Sequence, residues 1–214
     1  MNDTLYNVIN SRYSLKSLDT NEYGVIRYKG MEFTTKVYEA ENIGQFFIMD
    51  MSGMLGLMKM ETVVFSPVLR DGPILSADMI NAFGRSTLIL ELYDTTISHP
   101  DFSALNEVKE KYADVSPLKE SLIKRYDLTM PLCDYKRGYG IRQQTENETE
   151  EYCERYLDLV GNCPSISSDQ KKDCNAGMVR MLLSQGGPAV NQFKKMIGEQ
   201  KTEVFLSKYM FASA

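Results

Sequence analysis

The apolar positions of this chain change period near its middle. From Gly24 to about Tyr93 they fall in short runs rich in β-branched and aromatic residues, which predict strands. Val25–Tyr28 and Met31–Tyr38 flank Lys29-Gly30, the composition of a hairpin turn. Phe46–Met51 and Met54–Phe65 are two further strand-like runs separated by Ser52-Gly53, and Ser86–Tyr93 is another. Turns this short favour an antiparallel meander over parallel strands joined by helical crossovers. Residues 1–20 are polar and weakly patterned, and predict one short helix and a loop.

The second half takes up helical spacing. Phe102–Tyr112 reads as a helix following Pro100-Asp101, whereas the stretch from Leu118 to Ile141, with Pro131 and the glycines beside Tyr139, has no clear period. Thr149–Val160 places Tyr152, Tyr156 and Leu159 on one helical face, and Gln170–Ser184 does the same with Cys174, Met178, Met181 and Leu182. Gly186-Gly187 breaks the chain. Pro188 opens a helix with the stripe Val190, Phe193 and Ile197, which Gly198 closes. Thr202 is the expected cap of a last helix bearing Phe205, Leu206, Tyr209 and Met210. Strands first and helices afterwards predict an α+β fold, a sheet covered by helices, with residues 1–214 forming one domain.

Composition narrows the chemistry. The 214 residues are 43% hydrophobic and 25% charged, which fits a globular chain with a substantial core. A net charge of −5 argues against a general nucleic-acid binder. No apolar run approaches the roughly 20 residues that span a bilayer, so no membrane partner is expected. The opening Met1-Asn2-Asp3-Thr4 lacks the basic and apolar regions of a signal peptide, so the expected compartment is the cytoplasm, or a plastid stroma in a eukaryote. Cys133, Cys153, Cys163 and Cys174 match no metal-ligand spacing and are expected to be reduced and structural, with no bound metal. His99 is the single histidine and stands before Pro100 in a predicted loop, so neither a His-centred triad nor a multi-His metal site is expected, and acid–base work falls mainly to carboxylates, Tyr, Lys or Cys.

Three features are candidates for chemistry. Met49, Met51, Met54, Met58 and Met60 either fill a core or form a pocket wall that moulds to a large flat ligand. Period-two alternation puts Glu61 on one face with Lys59, Val63 and Phe65, either as a solvated ion pair with Lys59 or as a carboxylate aimed into a cavity. Asp78 stands among small and apolar residues, either as a turn or cap residue or as a buried carboxyl whose pKa rises toward that of a proton donor.

The run from Phe65 to Ile80, through Asp71-Gly72-Pro73-Ile74-Leu75-Ser76-Ala77-Asp78, resembles the central strand pair of the ferredoxin-dependent bilin reductases. The C-terminal block is similar independently, through Gly187-Pro188-Ala189, Phe193-Lys194-Lys195, Ile197-Gly198-Glu199 and Tyr209-Met210-Phe211. The resemblance implies a three-layer α/β/α sandwich with a central antiparallel sheet, and a linear tetrapyrrole held between that sheet and the C-terminal helices. It implies an oxidoreductase with no bound cofactor, in which reduced ferredoxin (or flavodoxin) supplies electrons singly to a bilin radical. Asp78 falls on the family's central aspartate, which takes part in proton transfer, and Glu61, counted back without gaps, on a pocket-facing His or Asn, so Asp78 is the expected catalytic proton donor and Glu61 a second one. Met60, Phe65 and Ser76 are then expected to contact the bilin, with Arg137 or Arg142 on its propionates. Lys124 with Arg125, Lys136, Arg137, Arg142 and Lys194 with Lys195 are candidates for a basic docking patch. Two departures stand out: Ser76 replaces the usual glycine, and Gly187 the aspartate that several members carry before the C-terminal proline. Three neighbouring expectations stay open: a relative of red chlorophyll catabolite reductase, a non-catalytic flat-ligand binding protein, or a filled-core structural protein.

Overall fold

In the computed structural model, residues 1–82, 85–111, 133–140 and 142–214 are described, with backbone alone at 54, 85–87, 109, 133–140, 142–146 and 188. Alternation along the first half of the chain produces a sheet with two buried faces. Its strands are β1 (Leu15–Leu18), β2 (Val25–Tyr28), β3 (Met31–Ala40), β4 (Gly44–Gly53), β5 (Met58–Pro67), β6 (Ile74–Ala82), β7 (Arg85–Tyr93) and β8 (Cys133–Gly140). They lie in the order β1-β3-β4-β5-β6-β7-β8, with β2 also pairing with β3. Every pairing is antiparallel.

Local chemistry explains the tight turns. Tyr28 pairs with Met31, and Lys29 and Gly30 between them both have positive φ, as a two-residue hairpin loop needs. At the start of β4 a side chain is excluded outright: a Cβ on Gly44 would lie 2.1 Å from the Ser66 carbonyl oxygen. The run predicted to begin at Met54 instead turns through Met54–Gly56, with Leu55 at φ 54°, and β5 starts at Met58.

Helices α1 (Asn2–Arg12), α2 (Ser103–Lys111) and α3 (Arg142–Asn162) cover one face of the sheet. Their Leu5, Ile9, Leu105, Tyr156 and Val160 pack on Phe46, Val63, Phe65, Leu75, Met79 and Leu90. Tyr156 fixes α3 to the sheet, since its buried hydroxyl donates to the Pro73 carbonyl at 2.8 Å. Helices α4 (Ser168–Gln185), α5 (Pro188–Ile197) and α6 (Glu199–Val204), which runs on as a π turn through Phe205–Met210, cover the other face. Ser167 caps α4 by accepting from the Gln170 N–H. Gly198, not Thr202, is the cap of α6. The Thr202 hydroxyl donates back to the Gly198 carbonyl from inside the first turn.

The fold is therefore α+β, as the order of strands and helices predicts, and an α/β/α sandwich around an antiparallel sheet, as the resemblance implies. Among the described residues no helix is long and apolar enough to cross a membrane. Cys153 and Cys163 are buried free thiols, and burial raises the Cys153 pKa to about 12, which makes it inert as a nucleophile.

Candidate functional site

Register assigns each side chain of the central strands to a face. Thr62 lies opposite Asp78, and Asp78 opposite Ile89. The row continues through Met49 to Thr35 on β4 and β3. The next row is Phe47–Val64–Ser76–Glu91, and the one on the other side is Phe33–Met51–Met60–Ile80. Met49, Phe47, Val64 and Phe33 belong to the cluster under α4–α6, so all three rows face the C-terminal helices. Asp78 thus sits near the centre of an apolar sheet face. Met58 and Met60 on the sheet and Met181, Leu182 and Met196 on the helices border that cluster while only partly buried.

The carboxyl of Asp78 is raised from its ordinary value to about 7. Burial is the main cause, the charge on Glu91 adds to it, and the hydroxyl of Thr62, which donates to Asp78 at 2.5 Å, opposes it. Thr62 and Ser76 are buried beside it. On β7, Glu91 is buried and accepts a 2.6 Å hydrogen bond from the Tyr93 hydroxyl. Near neutral pH this face therefore presents an acid that keeps a protonated form among apolar walls, a group suited to donating a proton to a ligand base.

Of the residues anticipated from sequence, Met60, Ser76 and Asp78 share this face. Glu61 and Phe65 do not. The pleat turns odd-numbered β5 residues toward α1 and α3, so the expectation that Glu61 and Asp78 line one cavity is corrected. Glu61 lies 3.4 Å from the Met1 amino group and lines a small pocket of about 280 Å³ with Asp50, Lys59 and Asn81. Asp50, opposite Glu61, has its pKa raised by burial, with Glu61 adding to the rise and a hydrogen bond from Asn2 opposing it. Phe65 is packed edge-on against Tyr156, with ring centroids 5.9 Å apart, and has no access to the Asp78 face. Of the five methionines, Met49 and Met51 are buried core and Met58 and Met60 half-buried, while the Met54 side chain lies outside the described residues.

The Arg137 backbone pairs with Ile89, one strand beyond Asp78, but its side chain and that of Arg142 lie outside the described residues, as do those of Lys124, Arg125 and Lys136. Lys194 pairs with Glu199 at 3.0 Å. Thr62, Glu91 and Tyr93 were not singled out by sequence. Alternation outward from Asp78 would have found Thr62 had the β5–β6 register been known.

No protein-family model and no curated protein matches the chain. The structure of phytochromobilin synthase from tomato, solved in complex with biliverdin, superposes with a TM-score of 0.65 over 99% of this chain and 81% of that one, at 16% identity. At that identity the likeness establishes a shared fold.

Proposed function

We propose that this protein reduces a bilin, a linear tetrapyrrole, with electrons delivered singly by reduced ferredoxin or flavodoxin and protons supplied by its own side chains. The observation that carries the proposal is Asp78: an acid poised near neutral pH at the centre of the Met-bordered sheet face, under the C-terminal helices. The fold shared with a biliverdin-complexed enzyme supplies the substrate class.

Residues 1–214 act as one domain with no resident cofactor. The bilin lies along the face carrying Met60, Ser76 and Asp78. Reducing one double bond takes a pair of electrons and a pair of protons. Asp78 gives a proton to the singly reduced pigment, its carboxylate is steadied by the Thr62 hydroxyl, and bulk solvent restores the proton. The apolar wall excludes water from the radical, and Arg137 or Arg142 anchors the propionates. A second reading, a pigment-binding protein without turnover, is favoured by Gly187. This residue precedes α5 where several bilin reductases carry a second aspartate, and it offers no proton.

The test is a visible absorption titration with biliverdin, followed by a reduced-ferredoxin system without oxygen. Saturable binding and then an electron-dependent spectral change establish the reductase. Binding alone selects the second reading, and no binding removes the substrate from consideration.

A further inference from the structure

We propose that Glu91, held in place by Tyr93, is a positioning residue that sets when Asp78 gives up its proton. The proposal rests on the reading of Asp78 as proton donor, and its test begins in ligand-free protein so that the two can fail separately.

The geometry is that of a diagonal cross-strand pair. Asp78 faces Ile89 and Ser76 faces Glu91, so Glu91 is the neighbour of Asp78 one pleat along the same face. Both Glu91 and Tyr93 are 8% exposed. At so little exposure, solvent does less to damp interactions between neighbouring groups on this face. The Tyr93 hydroxyl, 2.6 Å from Glu91 Oε2, restrains the carboxylate and stabilises negative charge on it. That charge makes a second one on Asp78 costly, while Thr62 on the far side favours it.

Among the described side chains, Asp78 is thus balanced between a hydroxyl donor on β5 and a carboxylate on β7. On its own strand the neighbouring polar group is Ser76. From the helices the cluster contributes apolar side chains such as Met178, Phe193 and Phe205. It also contributes Tyr209, whose hydroxyl accepts from Asn21. Removing Glu91 therefore tips the balance one way, and removing Thr62 tips it the other.

The experiment is a carboxyl-carbon NMR titration of ligand-free protein, with the Asp78 signal assigned by its loss in Asp78→Asn. Glu91→Gln is expected to lower the Asp78 midpoint by about one pH unit. Tyr93→Phe is expected to lower it by less, and Glu91→Asp to restore it toward the wild-type value. An unchanged midpoint in Glu91→Gln overturns the proposal, and where that variant does not fold an unchanged midpoint in Tyr93→Phe does so. In the reduction assay the alkaline fall of the rate should move down in pH by the same amount. A shifted titration in a protein that never reduces biliverdin keeps the role of Glu91 and removes the reductase. An unshifted titration in an active enzyme does the reverse.

Discussion

Thr62 donates a 2.5 Å hydrogen bond to Asp78 across the β5–β6 pair, so a buried hydroxyl and an acid near its midpoint are directly coupled. The bond favours the charged acid, against the burial that disfavours it. Thr62→Val keeps the shape and removes the donor. The Asp78 midpoint should rise above about 7 in carboxyl NMR titration. A charge-assisted bond worth about 1.5–3 kcal/mol corresponds to a shift of roughly one to two pH units. A fall would mean that the hydroxyl does not serve the carboxylate.

Glu61 and Phe65 face the other helical layer, which separates stability from ligand binding. Glu61→Gln and Phe65→Leu should leave biliverdin affinity within about twofold. Phe65→Leu should cost roughly 1–2 kcal/mol in urea unfolding through imperfect refilling of its site against Tyr156. A variant that lost binding while keeping its unfolding midpoint would place the pigment on the α3 side of the sheet.

Lys171 has no solvent exposure, and its ammonium donates to the Thr95 carbonyl at 2.6 Å, 4.0 Å from Asp71. Burial lowers the lysine to about 8 although Asp71 opposes it. Burial also pushes Asp71 upward, but N–H donors from Ile97 and Ser98, and then the Lys171 charge, outweigh it, so that carboxyl titrates below its ordinary value. Lys171→Met leaves Asp71 without its counter-charge but with its backbone donors. The expected loss at pH 7 is therefore about 3 kcal/mol, the low end for a broken buried pair. Between about pH 8 and the unfolded value near 10.4 the folded chain binds one proton fewer than the unfolded one. Wild-type stability should therefore gain a rising component there that the variant lacks. Urea unfolding at pH 7 and pH 9.5 checks both, and equal slopes would refute the second.

What could be read in the sequence followed how local its causes are. Lys29-Gly30 announced its hairpin because turn chemistry sits in the turn itself. The stripe of Val190, Phe193 and Ile197 announced α5 for the same reason. Alternation alone did not mark β6, because Ser76 and Asp78 interrupt its apolar run. The start of α3 at Arg142 went unread, because Arg142–Glu148 carries no apolar residue for a period to register. The site depends on register, and register is set by pairing between distant segments. Counting back from Asp78 without gaps landed on Glu61, one residue from its true partner Thr62, and a slip of one residue crosses to the other face. Glu91 and Tyr93 lay in a run already explained as strand, and their place beside Asp78 appears once β6 and β7 are aligned.

Asp78 should make the fold less stable as pH rises toward neutrality. Its carboxyl titrates at about 7 when folded and near 3.9 when unfolded. Between those values the folded chain keeps a proton that the unfolded chain has lost, so stability falls with pH by up to about 1.4 kcal/mol per unit and levels off above the folded value. Because Asp78 retains some solvent contact, the accumulated loss should be about 2–4 kcal/mol rather than the full amount. Asp78→Asn removes this component, so variant and wild type should be similar in urea at pH 4.5 and diverge by pH 8, with the variant more stable. Curves that stay parallel would show that the carboxyl is solvated and has no raised pKa. Divergence would identify a side chain that weakens the fold at neutral pH, where a neutral amide would suit the position better. Such a residue is easier to explain by proton transfer on that face than by packing.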